Sequence, residues 1–287
     1  MKYFAIPLLA GAVLFCTQAP AQKLEFKEHI SKTLNLSSAA ASNTLAIYNI
    51  TGFIKVEGYN GDKVLLEIDK TISAETQEVL DQGKQEFEFS IDQKADSVIA
   101  YIAAPYDSRP NRGRRNWDGP KIHYNYKLNF TVKVPYSLNL HVSTVNGGDV
   151  TVNDVTGSLG VSNVNGAIKV VNAKGAARVR TVNGNVEVSY VTLPPGESDF
   201  KTLNGDILIS YPSALSADCQ FKTFNGGFYT DFNNIETLPA KVVKNVETHD
   251  DKTVYKLSAD TMIRFGKGGP TYKFETFNGN IYLKKQS

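Results

Sequence analysis

The sequence predicts an all-β protein whose C-terminal half is a β-solenoid of flattened, two-sided coils of about 18–21 residues, with hairpin insertions. Three observations lead there. Gly148, Gly157, Gly166, Gly175 and Gly184 stand nine residues apart. Apolar residues recur two, four and seven positions after each of them. A threonine–x–asparagine–glycine phrase returns at alternate corners.

The apolar positions two after each glycine are Val150, Leu159, Ile168, Ala177 and Val186, and those four after are Val152, Val161, Val170, Val179 and Val188. Side chains alternate across a strand, so each such pair shares one face. Seven positions after come Val155, Val164, Ala173, Val182 and Val191. That shift breaks strict alternation, so the chain must turn between the fourth and seventh positions to bring the last residue inside, and glycine permits a corner with positive φ. The density of β-branched residues disfavours a helix. One nine-residue unit cannot enclose a core. Two facing units make a coil, and stacked coils ~4.8 Å apart bury a continuous apolar stripe.

The corner phrase appears as Thr144-Val145-Asn146-Gly147, Asn163-Val164-Asn165-Gly166 and Thr181-Val182-Asn183-Gly184. It returns at Thr202-Leu203-Asn204-Gly205, Thr223-Phe224-Asn225-Gly226 and Thr276-Phe277-Asn278-Gly279. Asn146, Asn165, Asn183, Asn204, Asn225 and Asn278 are expected to form a structural corner ladder, since asparagine tolerates left-handed geometry and bonds nearby backbone. The threonines are expected to bond from coil to coil. Pro194-Pro195-Gly196 and Tyr211-Pro212 mark lengthened corners.

Related grammar occupies residues 43–68, with Leu45, Ile47 and Ile50 before Gly52, then Ile54 and Val56 before Gly61. This stretch is expected to continue or cap the solenoid. Residues 73–86 are the best helix candidate. Strand alternation resumes over 86–103 and 122–145, and 241–265 forms a hairpin turning near Asp250-Asp251. Pro105–Pro120, rich in proline and glycine, is expected to be a mobile surface loop. Its Arg109, Arg112, Arg114, Arg115 and Trp117 could meet an anionic glycan, a phosphorylated headgroup or an acidic protein.

Lys2, the apolar run Phe4–Phe15 and Ala19-Pro20-Ala21 have the form of a secretory signal over residues 1–21. The run is too short for a membrane-spanning helix. Phe15 before Cys16 is wrong for a lipidated cysteine, so no lipid anchor is expected there. Residues 22–287 are then one elongated domain, with an N-terminal sheet and capping part over 22–140 and regular coils over 141–287. Losing residues 1–21 removes one charged residue, Lys2, and takes the formal charge from +2 to +1. That leaves no electrostatic case for nucleic acid. Cys219 is then the sole cysteine, expected to be buried and inert, so no intramolecular disulfide can form.

Catalytic and metal constellations are not found. His29, His123, His141 and His249 have no metal-ligand spacing. Gly266-Lys267-Gly268-Gly269 lacks the spacing of a phosphate loop. Asp149, Asp154 and Asp206 do not recur at the register a calcium-binding repeat needs, and with Asp199 and Asp218 they are not brought into pairs by the register. No enzyme activity and no cofactor are therefore expected.

The phrase T-[VLF]-N-G-x-[IVF]-x-[VLT] resembles the bacterial putative-adhesin family, whose closing coil is similar to Gly268–Ile281 and whose early phrase is similar to Ile50–Gly58. The resemblance covers roughly residues 40–287. It implies an exported β-solenoid of the periplasm or outer cell surface, binding a glycan or another envelope component. The Arg-rich stretch at 105–120 departs from the family pattern. A binding module predicts an exposed patch, from the aromatic C-terminal coils plus Trp117. The alternatives are a self-associating structural scaffold and, less in keeping with the residues, a glycan-active enzyme.

Overall fold

The computed structural model describes residues 23–36, 38–110, 121–249 and 252–286, with side chains described outside 240–260. The signal segment and Cys16 fall outside these residues, as does the turn at Asp250-Asp251. The chain is nearly all β and forms two large sheets, neither of which closes into a barrel.

The middle of the chain sets the pattern. Strands β8 (Asn139–Ser143), β10 (Leu159–Ser162), β12 (Ala177–Arg180) and β14 (Ser198–Lys201) lie side by side in one sheet. Strands β9 (Val150–Asn153), β11 (Ile168–Ala173), β13 (Val186–Tyr190) and β15 (Ile207–Tyr211) do so in the other. Neighbours run parallel. Leu159 pairs with Ala177 and Ile168 with Val186, steps of eighteen residues, while Val186 pairs with Ile207, a step of twenty-one. Each strand is too short to be stable alone, and its inward residues (Val150 and Val152, Val161, Val170, Val179, Val186 and Val188) are buried against the opposite sheet.

The seventh position does not behave uniformly. At the Asn-Gly corners Val182 is exposed and Val164 half-buried, whereas at the opposite corners Val155 and Ala173 are buried and Val191, with no left-handed residue before it, is exposed. The backbone explains the split. Asp154 (φ 58°) and Asn172 (φ 59°) adopt left-handed geometry one residue before Val155 and Ala173, and that re-aims the next side chain inward. At the Asn-Gly corners the alternation runs on unbroken, so Asn163 and Thr181 point in and the following valine points out.

The glycines correct the expectation of positive φ. Gly148, Gly157, Gly166, Gly175 and Gly184 all lack positive φ, which among the Asn-Gly corners and their neighbour Gly52 occurs at Gly52 (φ 118°), Gly147 (φ 75°), Gly205 (φ 154°) and Gly279 (φ 153°). Their requirement is close approach. A Cβ on Gly166 would sit 2.5 Å from the Gly148 carbonyl oxygen, and one on Gly184 would overlap that of Gly166. On the opposite corner Gly175 stands in the same relation to Gly157.

Chain order and spatial order part company at both ends. Strands β2 (Thr44–Tyr48) and β3 (Ile54–Tyr59) sit next to β8 and β9, while β6 (Ser97–Ala104) and β7 (Asn125–Pro135) pair on their far sides. Antiparallel strands β4 (Lys63–Ala74) and β1 (Leu24–Asn35) extend one sheet beyond β7, and β5 (Glu88–Gln93) extends the other beyond β6. The helix α1 spans Gln77–Glu86, later than the 73–86 expected, because Ser73 and Ala74 still belong to β4. Thr76 caps it, its Oγ accepting from the Val79 N–H at 3.3 Å.

At the other end the last coil in sequence is not last in space. Strands β20 (Thr271–Asn278) and β21 (Ile281–Lys285) slot between β14 and β15 on one side and β16 (Ala217–Asn225) and β17 (Phe228–Thr230) on the other. The aromatic interior fits that order, since Phe274 stacks between Phe200 and Phe221 at 5.3 and 5.1 Å. The hairpin of β18 (Ile235–His249) and β19 (Lys252–Phe265) begins earlier than 241 and pairs with the start of β16. A two-point bond from Arg264 to Asp218 (2.8 and 3.0 Å) ties it there.

Gly184→Ala should lower stability by roughly 3 kcal/mol in urea unfolding, because its methyl would lie 2.2 Å from the Gly166 carbonyl oxygen in a packed stack. Gly196→Ala, whose nearest neighbour would be the Ala176 Cβ at 4.0 Å, should shift it by no more than about 0.5 kcal/mol.

Candidate functional site

The Asn-Gly corners line up along one edge of the molecule, and each residue of the phrase has its own task. The first points inward. Thr181 donates from Oγ1 to the Gly166 carbonyl at 2.9 Å, Thr202 to Gly184 at 2.9 Å, Thr276 to Gly205 at 3.0 Å and Thr223 to Gly279 at 3.1 Å. Thr144 bonds Gly52 at 2.8 Å, and Asn163 does the same work on Gly148 through Nδ2 at 3.0 Å. These carbonyls turn inward at a corner with no strand partner, so the hydroxyls satisfy groups that burial would otherwise leave open.

The third residue forms a single file of carboxamides. Nδ2 of Asn165 donates to Oδ1 of Asn146 (2.7 Å), Asn183 to Asn165 (2.8 Å), Asn204 to Asn183 (2.8 Å), Asn278 to Asn204 (2.7 Å) and Asn225 to Asn278 (2.7 Å). Every bond points the same way, so each amide polarises the next. Behind this file, carboxylates and amides accept backbone N–H groups of the adjacent coil. Asp149 takes Ala167, Asp206 takes Asn280, and Asn280 takes Gly227, at 2.7–2.9 Å.

The second residue is left facing solvent. In spatial order the row runs Val145, Val164, Val182, Leu203, Phe277, Phe224, and its side chains grow toward one end. Val145 and Val164 are half-buried, Leu203 and Phe277 are each 45% exposed, and Phe224 is 74% exposed. Phe224 and Phe277 stack nearly flat, 4.8 Å apart at 5°. On the other side of the amides Tyr229 stacks on Tyr282 at 5.2 Å, its ring lying against Gly227. Two aromatic pairs thus flank the last amides of the file.

Charge lies on the sheet faces, not in the corner phrase. Lys169 pairs with Glu187 at 2.9 Å, Lys201 with Glu275 at 3.0 Å, and Arg180 with Asp199. The phrase itself contributes only methyls, hydroxyls, amides and rings. Among the described residues no group of three or more His, Cys, Asp or Glu side chains could hold a metal ion. No described helix is long and apolar enough to cross a membrane.

Of the five residues singled out in the Arg-rich stretch, Arg112, Arg114, Arg115 and Trp117 lie outside the described residues. Arg109 is engaged within the fold. Its guanidinium lies 3.7 Å over the Tyr101 ring and bonds Asp92 (2.9 Å) and Asp107 (2.6 Å). The stretch departs after β6, at the same edge as the Asn-Gly corners, with Ser108 bonding the Tyr48 carbonyl at 2.7 Å. Cys219 is buried, and burial followed by the neighbouring Asp218 charge pushes its thiol well above the usual range.

His29 stands between Asp69 (2.7 Å) and Glu67 (2.8 Å) on the exposed face of β1 and β4. Its hydrogen bonds to Asp69 and then Glu67 raise its pKa above 6.5. His141, packed on Tyr48 at 5.6 Å, is lowered by desolvation and then by Arg178.

The aromatic pairs could be found in the sequence as Phe-Asn-Gly repeats. A binding module predicts an exposed patch on these aromatic C-terminal coils, but which of their rings face solvent and which fill the interior could not be read from the sequence.

No family model matches the chain, and no curated protein matches it. Among solved structures, a "putative cell adhesion protein" from Clostridium sporogenes superposes with a TM-score of 0.44 and 11% identity, over 91% of this chain and 100% of that one. A "putative adhesin" from Bacteroides fragilis gives 0.36 and 12%, over 90% and 97%. Another from Parabacteroides distasonis gives 0.25 and 10%, over 90% and 97%.

Two measurements check this geometry. In an NMR titration His29 should lose its proton above pH 6.5 and His141 below it. The His29 cluster therefore stabilises the fold fully at pH below the unfolded imidazole's pKa and ceases to do so as pH rises through the folded value. Thr181→Val should cost about 1 kcal/mol in urea unfolding, since it strips the part-buried Gly166 carbonyl of its donor.

Proposed function

We propose that this chain is an exported β-solenoid of the cell envelope, acting in the periplasm or at the outer surface as a non-enzymatic, adhesin-like binding module. Its ligand on this reading is a neutral glycan, held along the Asn-Gly edge where the stack ends. The observation that carries the proposal is the stacked pair Phe224 and Phe277, solvent-facing beside a file of amides. Large rings left open together in a folded protein are a feature of contact surfaces. The C–H face of a sugar suits such rings, and its hydroxyls suit amides that both donate and accept. The uncharged corner phrase favours a neutral ligand over the anionic one expected from the arginines.

The steps of eighteen and twenty-one residues between parallel neighbours support the solenoid reading, since one turn of chain then sits on the next. The apolar run before Ala19-Pro20-Ala21 supports export.

The test is a glycan array probed with the wild type and with Phe224→Ala/Phe277→Ala, with circular dichroism as a fold control. Binding by the wild type, weakened about tenfold or more in the double variant, is the expected result. Absence of any bound glycan, or equal binding by the variant, defeats the proposal. A wild-type dimer that becomes monomeric in the variant would assign the patch to a self-associating scaffold instead.

A further inference from the structure

The asparagine file is also a row of Asn-Gly pairs, a sequence prone to spontaneous deamidation because glycine leaves its preceding side chain unhindered. The chemistry has two geometric requirements. The glycine N–H must be free to lose its proton, and the asparagine Cγ must swing toward that nitrogen. A new N–Cγ bond then forms as the Cγ–Nδ2 bond breaks, ammonia leaves with the proton, and a succinimide results. Water opens that ring at either carbonyl to give aspartate or isoaspartate.

The structure locks both requirements at four corners. Gly166 donates its N–H to the Asn183 carbonyl, Gly184 to Asn204, Gly205 to Asn278 and Gly279 to Asn225, each at 2.9–3.0 Å. The amides of Asn165, Asn183, Asn204 and Asn278 are each bonded on both sides in the file. Neither lock is complete at the ends. Asn225 and Asn146 are the terminal rungs, each bonded to one neighbour in the file and both exposed. Among the described residues, the N–H groups of Gly226 and Gly147 have no backbone acceptor. At Gly226 no coil follows above it. At Gly147 the second glycine, Gly148, displaces the corner from the register of the coils around it.

We propose that Asn225 and Asn146 are the deamidation sites of this edge and that the hydrogen-bonded file protects Asn165, Asn183, Asn204 and Asn278. Reaction at an inner corner must first break the glycine N–H bond and the amide's bonds to its neighbours. With these bonds to break first, inner sites should react at least about tenfold more slowly. Asn60-Gly61 lies in the β3–β4 turn, outside the file, and stands apart from the comparison.

The full chain, incubated in mildly alkaline buffer and mapped by peptide mass spectrometry with isoaspartate detection, tests this directly. A parallel incubation in urea supplies the unprotected rate at each site. Conversion at Asn225 and Asn146 near their unfolded rates, with the four inner sites at least about tenfold below theirs, is the expected result. Inner sites that convert as fast as the ends overturn the proposal. So do end sites that are as protected in the folded chain as the inner ones.

Discussion

The rest of the structure depends on how closely one corner can lie on the next. Parallel strands pair at about 4.8 Å, and a corner that keeps this spacing brings the α-carbon of one glycine onto the carbonyl of the glycine beneath. No other residue fits there. The consequences follow outward from that column. The crowded carbonyls face inward and need donors, which the threonine hydroxyls and Asn163 supply. The same spacing puts successive asparagine amides at hydrogen-bonding distance, and successive corner side chains in contact. The edge is therefore regular for one steric reason, and its chemistry is a by-product of that regularity.

Much of this was legible. Strand periodicity identifies Val150, Val152, Val161 and Val170 as core, because alternation along a strand requires no knowledge of the partner. The recurring phrase locates the corners for the same reason. Three things could not be read. The inward turn of Val155 and Ala173 depends on left-handed backbone at Asp154 and Asn172, while Val182 lacks such a residue before it and faces out. Nothing in an aspartate or asparagine alone distinguishes these cases, since Asn163 occupies the equivalent place without a positive φ. The role of the glycines was mistaken because positive φ is a local property, whereas close approach depends on the next coil.

The third was coil order. Sequence distance suggests that Asn225 follows Asn204, yet Asn278 lies between them. The matched flanks Phe200, Phe221 and Phe274 mark the three coils as equivalent without ranking them. Their order depends on the β18–β19 hairpin, whose return strand pairs on the far side of β16 and so leaves the near side for β20. A similar late insertion places β6 and β7 outside β2 and β3. At both ends, then, the outermost pair of strands is made before or after its turn, and antiparallel strands cover one or both of its edges. Edge pairing of this kind shields parallel strands that would otherwise offer a template to another chain.

The cover is uneven, and that asymmetry bears on function. At the β1 end, both sheets gain antiparallel strands and α1 packs against β1 and β4. At the other end only the sheet containing β16 is extended, while its partner stops at the three residues of β17. The stacked phenylalanines and tyrosines lie on these last coils. Their rings cannot be there to fill the interior, which Phe200, Phe221, Phe274, Tyr211 and Tyr272 already occupy. Stacking along the edge holds them flat and fixed before anything binds, which lowers the ordering cost of a contact. A valine at the same corner, as in the earlier coils, would satisfy the fold equally well. The growth from valine to phenylalanine is therefore a feature that packing alone does not require, and it is confined to the end where the edge is least covered.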